Sequence, residues 1–330
     1  LSLCHAEGVP VVPRGAGTSL AGGSLPTADS VILGVARMNA VLEADYDNRF
    51  IRVQTGRTNL SVTGAVEADG FFYAPDPSSQ LACAIAGNIA MNSGGAHCLK
   101  YGVTTNNLLG VTLVQMDGTV VEIGGPWMDA GGLDLLGLVC GSEGQLGVVT
   151  EATLRLIPHP PMRAMLSAGF GSFAEAANAV GRILDSGYLP SALEIADKFT
   201  LRAAREYLGE SVTPQGDAHL LVELDGQEAS VKGELAALAE LVRGLGCICL
   251  EEALGEAACE RFWKLRREFS YSLRNTGLIK LNEDIVVPRS RLVDLVDFAE
   301  TLQGEFGFPV ACFGHAGDGN IHVNIMVRTM

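Results

Sequence analysis

The sequence predicts an α+β protein in two parts, and three observations carry that reading. The chain up to about Pro158 is rich in glycine and built of short β-type runs separated by turn residues. The cluster Ile157-Pro158-His159-Pro160-Pro161 then marks a boundary, beyond which composition shifts toward Ala, Glu and Leu. In that second part, segments of helical periodicity alternate with short strand-like runs, which points to a split, ferredoxin-like sheet. Two domains are therefore expected, over 1–158 and 159–330.

Taken in order, the first residues read as the end of a helix entering a strand at Val9 to Val12, so the N-terminus looks truncated. Further strands are expected over Val31 to Val35, Phe50 to Thr55, Leu108 to Gln115 and Thr119 to Ile123. Met116-Asp117-Gly118-Thr119 joins the last two as a hairpin, because Asp-Gly supplies the positive φ of a tight turn. In the second part the periodicity predicts helices over 172–186, 228–244, 260–275 and 290–304. Strands are expected over Met165 to Gly169, His219 to Leu224, Ile279 to Val287 and Pro309 to Phe313. No internal repeat or low-complexity segment interrupts them.

Composition narrows the function classes. With 48% hydrophobic and 18% charged residues over 330 positions, the chain has apolar surface enough to fold as a soluble globular protein. A net charge of −15 opposes a nucleic-acid partner, since that affinity rests on Lys and Arg releasing counterions. An anionic small molecule stays open, because a pocket needs only local cations such as Arg266 or Lys280. The eight cysteines form no CxxC pair and read as reduced thiols of a cytoplasmic protein. Cys247 and Cys249 fall in the apolar run Leu245 to Leu250, which reads as a buried strand. The longest uncharged stretch, Pro77 to Leu99, is too rich in Ser, Asn, Gln and Gly to span a bilayer.

Three segments carry a ligand signal. Pro13-Arg14-Gly15-Ala16-Gly17-Thr18-Ser19 follows the first expected strand, and Gly22-Gly23 come soon after. Glycines let backbone N–H groups converge on an anion, and Thr and Ser add hydroxyl donors. The loop is neither a dinucleotide GxGxxG nor a Walker loop, and by itself it could be an ordinary turn. The second segment runs from Pro75-Asp76-Pro77-Ser78-Ser79 to Gly87-Asn88-Ile89-Ala90-Met91-Asn92-Ser93-Gly94-Gly95. The third is Gly141-Ser142-Glu143-Gly144-Gln145-Leu146-Gly147-Val148. Both place small residues where backbone can approach a flat ligand.

In this order, with Tyr101-Gly102 and Asn107, the segments resemble the PCMH-type flavin-binding domain of the vanillyl-alcohol oxidase superfamily, in its glycolate oxidase and D-lactate dehydrogenase branch. The resemblance implies FAD, with its pyrophosphate on the Pro13–Ser19 loop and its ring near the two later segments. Relatives that attach flavin covalently often use a histidine in the pyrophosphate loop, and none lies between Arg14 and Ser19, so non-covalent FAD is implied. His97 is read as a polar contact near the flavin rather than a second attachment site.

Near the C-terminal end, Gly314-His315-Ala316-Gly317-Asp318-Gly319-Asn320-Ile321-His322 sets two histidines either side of a Gly-Asp-Gly turn that can aim both at one point. Asn320, His322 and Asn324 then alternate with Ile321, Val323 and Ile325, as on a strand with one polar face. Spacing alone would equally suit a solvated strand face. The segment is similar to the signature of the same family's C-terminal domain, whose histidines ligate a divalent metal, zinc or manganese. That similarity implies His315 and His322 as metal ligands. The family's remaining ligand and usual base lie in a Glu-His-Gly segment that does not occur before Met330, so the metal site is expected to be incomplete.

Phe262-Trp263-Lys264-Leu265-Arg266-Arg267-Glu268 resembles the family segment whose arginine grips the substrate carboxylate, which maps to Arg266, with Lys280 a second cation. The alternative is a wet helix face, with Arg267 its solvent-facing member. The resemblance implies oxidation of a small 2-hydroxy acid, of glycolate or D-lactate type, by hydride transfer to flavin. Arg266, Lys280 and Asn324 would contact substrate, His322 would take part in catalysis, and a His-held metal would orient the substrate. An iron-sulfur subunit, cytochrome or quinone would accept the electrons, with peripheral inner-membrane association through a partner subunit. Two other readings are a non-catalytic flavoprotein subunit and a redox-neutral relative of the alkylglycerone-phosphate synthases.

Overall fold

The computed structural model describes residues 1–127 and 132–328. The chain folds into two compact units, one comprising 1–97 and 101–159, the other 98–100 and 160–330.

The first unit is built on a five-stranded antiparallel sheet in the order Val41–Asp45, Phe50–Gln54, Val148–Arg155, Leu108–Val114, Val120–Gly124. Alternation decides its faces: in Phe50–Gln54, Ile51 and Val53 are fully buried while Arg52 between them points outward and pairs with Glu151 at 2.6 Å. The inward residues pack with Val62, Ile85, Ile89, Val111 and Leu154 in one core. The Asp-Gly hairpin forms as expected, with Gly118 at φ 93° and Asp117 Oδ1 accepting the Thr119 amide. The first strand lies two residues later than expected, at Val11–Arg14, and pairs in parallel with Val31–Gly34. Its start is delayed because the Val9 amide is still closing the preceding helix, donating to Cys4 O at 2.8 Å.

The second unit is a seven-stranded antiparallel sheet in the order Cys249–Leu254, Met162–Phe170, Ala218–Gly226, Ala192–Ala196, Val310–His315, Asn320–Val327, Ile279–Val286. One face is almost wholly aliphatic: Leu166, Phe170, Ile195, Leu220, Val222, Cys312 and Val323 pack against helices Phe173–Asp185, Glu228–Gly244 and Leu292–Phe306. Truncating a fully buried member such as Phe170 would cost about 3–5 kcal/mol. The opposite face carries Ala196, Ala311, Phe313 and Met326 under helices Lys198–Leu208 and Glu256–Asn275, and polar residues share it.

Two segments depart from expectation. Leu245 to Leu250 is not a buried strand: the chain turns at Gly246, φ 84°, and Ile248 is 53% exposed before an edge strand starts at Cys249. A glycine in the left-handed region ends the preceding helix, so the apolar run is spent on a turn. The buried strand Ala192–Ala196 and the helix Lys198–Leu208 lie outside the sequence expectations, since the strand is short and holds a carboxylate. Among the described residues no helix is long and apolar enough to cross a membrane.

Candidate functional site

In the first unit the three glycine-rich segments converge on one cavity of about 240 Å³. Of the predicted residues, Pro13, Arg14, Gly15, Ala16, Gly17, Thr18, Ser19, Ser79, Gly87, Asn88, Ser93, Glu143, Gly144, Gly147 and Val148 line it. Ser24, Cys83 and Ser142 line it too without having been predicted, although Ser142 sits within a segment already singled out. A Cβ on Gly15 would stand 3.4 Å from both Ala84 Cβ and the Gly87 amide, in van der Waals contact, so the loop lies close against helix Ile85–Met91.

The other predicted residues do not line the cavity. Asp76 Oδ2 meets His97 Nδ1 at 2.7 Å, and Asn92, at φ 47°, accepts the Thr105 amide. Pro75 O accepts from Asn59, Gly141 donates to Ile89 O, and Tyr101 stands edge-on to Phe72. Gly22 turns the chain at φ 82°, Gly102 at φ 76°, and Gly94 lies in the loop before His97.

One observation tests whether the cavity suits FAD. Arg14 Nε is buried and has no hydrogen-bond partner, in the very loop read as a pyrophosphate cradle. A buried cationic donor without a partner is costly, and a phosphate oxygen would satisfy it. With small residues on every approaching segment, the residues present fit the cofactor.

The second unit gathers the predicted histidines and Arg266 on the polar face of its sheet. Register does this: Glu194 lies opposite His315, Phe313 opposite His322, and His322 opposite Asp284, so all these side chains share one face. The His315 and His322 rings are nearly perpendicular with centroids 5.2 Å apart. Each is held by Nδ1, His315 at 2.5 Å from Glu194 Oε1 and His322 by Asp284 Oδ1. Arg266 Nε donates to Glu194 Oε2 at 2.5 Å, and its guanidinium carbon lies 4.8 Å from the Phe313 ring centroid. Arg267, next in sequence, is 55% exposed and pairs with Glu260.

Electrostatics follow the geometry. Burial would raise the Glu194 carboxyl, but the charges of Arg266 and His315 outweigh it and bring it down to about 2. Burial would lower His315, but Glu194 overcomes that and raises it. His322 holds the Asp284 carboxyl below the usual aspartate range. On the same face His219 bonds Ser167 and stands edge-on to Phe269, and burial pushes it down to about 3, so it serves as a neutral wall.

Lys280 donates to Ser270 Oγ at 2.9 Å, and burial lowers it, with Asp284 of the same cluster opposing the fall. Asn324 is fully buried and gives both amide hydrogens to carbonyls, of Ala311 and His322. Its Oδ1, like that of Asn320, is buried with no partner. Two orphan oxygens thus flank His322 on one strand face, where a ligand or an ordered water would satisfy them. As a metal site the donor set is partial. Carboxylates behind each Nδ1 are the usual way to aim a ligating imidazole, yet no cluster of three His, Cys, Asp or Glu with metal-binding geometry occurs among the described residues. Sequence reasoning missed Glu194 and Asp284. The available signal was an acidic residue inside the apolar run Ala192–Ala196.

Comparison with known proteins agrees with both halves. Residues 159–330 match the family described as FAD linked oxidases, C-terminal domain, and residues 1–124 match the FAD binding domain. The chain is 40% identical to glycolate oxidase subunit GlcD of Escherichia coli strain K12 over 99% of its own length and 65% of that protein's. It is 30% identical to D-lactate dehydrogenase of Anaerostipes hadrus over 98% of its length and 70% of that protein's. The chain thus spans about two thirds of the length of these relatives. Alkyldihydroxyacetonephosphate synthase has a similar fold, with TM-score 0.79 at 20% identity, over 98% of this chain and 64% of that one. By the match over its whole second half and these relatives, the chain belongs to the FAD-linked oxidase family.

Proposed function

We propose that the chain serves in the FAD-dependent oxidation of a small 2-hydroxy acid to the 2-oxo acid. The observation that carries this reading is a mostly buried Arg266 that spends its Nε on Glu194, within the same cluster as two carboxylate-backed histidines. A guanidinium engaged through Nε has two further nitrogens suited to a substrate carboxylate. Lys280 would add positive charge, and Asn324 Oδ1 would accept a hydrogen bond from the substrate. His315 and His322 offer Nε2 toward the hydroxyl, where they would hold a divalent metal, zinc or manganese, or take up the proton. Neighbouring Phe313 and Phe269 limit water on that side. Bound FAD, held without covalent attachment by the Pro13–Ser19 loop and its partner segments, would accept the two electrons.

The names of the relatives support glycolate or D-lactate as substrates, and the word subunit in one of them supports a partner that receives electrons. We assign that partner to an iron-sulfur subunit, cytochrome or quinone, and the chain to the cytoplasm, at the inner membrane only through such a partner.

Anaerobic visible spectra before and after adding glycolate, D-lactate or D-2-hydroxyglutarate, with and without EDTA, test the reading. The expected result is flavin bands bleached by one acid and protected by the chelator. Flavin that dithionite reduces and none of the acids bleaches would overturn it.

A further inference from the structure

Glu194 is a buried carboxylate whose two oxygens serve two different machines. Oε2 takes the Nε–H of Arg266 and Oε1 meets Nδ1 of His315, both at 2.5 Å. It stands on a central strand, between Ala218–Gly226 and Val310–His315, directly across the ladder from His315. Its place therefore follows from the backbone ladder and leaves little room to move. A buried ion pair is seldom the most stabilising choice, since apolar residues of similar volume often do as well or better. A carboxylate kept in the middle of a sheet, between a guanidinium and an imidazole, needs another reason.

We propose that Glu194 is the positioning residue of this site, setting Arg266 for the substrate carboxylate and His315 for the substrate hydroxyl through its two oxygens at once. The inference rests on the proposed 2-hydroxy acid reading and deepens it. By accepting at Nε, Glu194 fixes the plane of the guanidinium and leaves its terminal nitrogens for the ligand. By accepting at Nδ1, it fixes the His315 tautomer with the lone pair on Nε2. Because one rigid carboxylate does both, the two halves of the substrate are registered to each other. No motif in the sequence marks Glu194, yet replacing it disturbs two ligand contacts.

Glutamine is the informative replacement, being equal in size but able to accept through one atom only. In Glu194→Gln, the amide nitrogen cannot accept from either partner and the negative charge that Arg266 and His315 share is lost, so both anchors weaken. The full chain is titrated calorimetrically with oxalate, a carboxylate probe, and separately with Zn²⁺, and ¹⁵N-histidine spectra report which nitrogen of His315 is protonated. The expected result is that both affinities fall by about 10- to 100-fold, with a mixed His315 tautomer, while bound flavin is unchanged. Glu194→Asp, which keeps two acceptors, should recover part of the loss. Glu223→Gln serves as the folding control: it alters another buried carboxylate, bonded to Ser191 and Trp263, and should leave oxalate and Zn²⁺ binding intact.

If Glu194→Gln keeps wild-type affinity for both probes while Arg266→Ala loses oxalate and His315→Ala loses Zn²⁺, the positioning role is wrong and the site reading survives. If the unaltered chain binds neither probe, both fail together. If Glu223→Gln loses both affinities as Glu194→Gln does, the effect is one of folding and the proposal is overturned.

Discussion

The rings of His315 and His322 meet almost at right angles with centroids 5.2 Å apart, and each is turned by its own carboxylate, Glu194 behind one and Asp284 behind the other. Replacing either histidine by alanine should abolish divalent-metal binding and lower turnover at least about 100-fold, while flavin content stays constant. Asp284→Asn should weaken metal affinity about 10-fold and leave the fold intact, because Asp284 is the more exposed of the two carboxylates. Metal analysis of the purified variants beside flavin absorbance checks both. Wild-type turnover in His315→Ala would remove it from the mechanism.

Arg266 and Arg267 are adjacent, and their fates should differ. Lysine in place of Arg266 cannot bond Glu194 and a substrate carboxylate at once, so kcat/KM should drop by about 100-fold, equivalent to about 3 kcal/mol. Arg267→Lys, changing an exposed side chain paired with Glu260, should alter kcat/KM less than about twofold. Steady-state kinetics on the pair decide it, and equal losses would mean the helix rather than the guanidinium matters.

Gly87 lines the cavity of the first unit, and a Cβ built there meets nothing within 4 Å. A Cβ there is unopposed, so Gly87→Leu, with helix propensity favouring it by about 0.5–1 kcal/mol, should extend into the cavity and fill space the cofactor needs. The expected outcome is an unchanged or slightly raised Tm with FAD affinity reduced more than about tenfold. Flavin retention on gel filtration and a melting curve distinguish this from Gly147→Ala. There the residue sits at φ 148° and a Cβ would lie 2.7 Å from Val114 O, so stability itself should fall.

Asp197 caps helix Lys198–Leu208 through the Thr200 amide and also accepts the Cys312 amide at 2.7 Å. Burial raises its carboxyl to about 6 from 3.8, against those hydrogen bonds, and Glu300 adds to the rise. An unfolded chain gives up this proton near pH 4 and the folded one near pH 6, so between them the unfolded state binds fewer protons. Stability is then highest below about pH 4 and falls as pH rises to about 6, by on the order of 2–3 kcal/mol for this group. Asp197→Asn should flatten that part of the curve and cost about 1 kcal/mol at pH 4, where the cap is weakened. Urea unfolding of both proteins from pH 4 to 7 measures the difference; parallel curves would show that Asp197 does not titrate there.

Much of this protein was legible because the signals are local. A Gly-rich loop declares itself within seven residues, Pro13 to Ser19, since backbone freedom and hydroxyl donors are properties of the residues themselves. The Asp-Gly hairpin and the amphipathic helices are equally short-ranged. The expected strand over Leu245 to Leu250 failed for the complementary reason: hydrophobicity alone does not tell a buried strand from a turn that leads to a sheet edge.

By itself, the sequence determined the two-part α+β plan, the flavin-type loops and the His315 to His322 segment, because turn chemistry and hydrophobic period act over a few residues. Only the tertiary structure decided which carboxylates serve those histidines. Glu194 reaches His315 across 121 positions and Asp284 reaches His322 across 38. Antiparallel register makes these neighbours, and a shift of one residue in any of those strands would turn the side chain to the aliphatic face. That register is set by the summed burial of whole strands, which no single motif records.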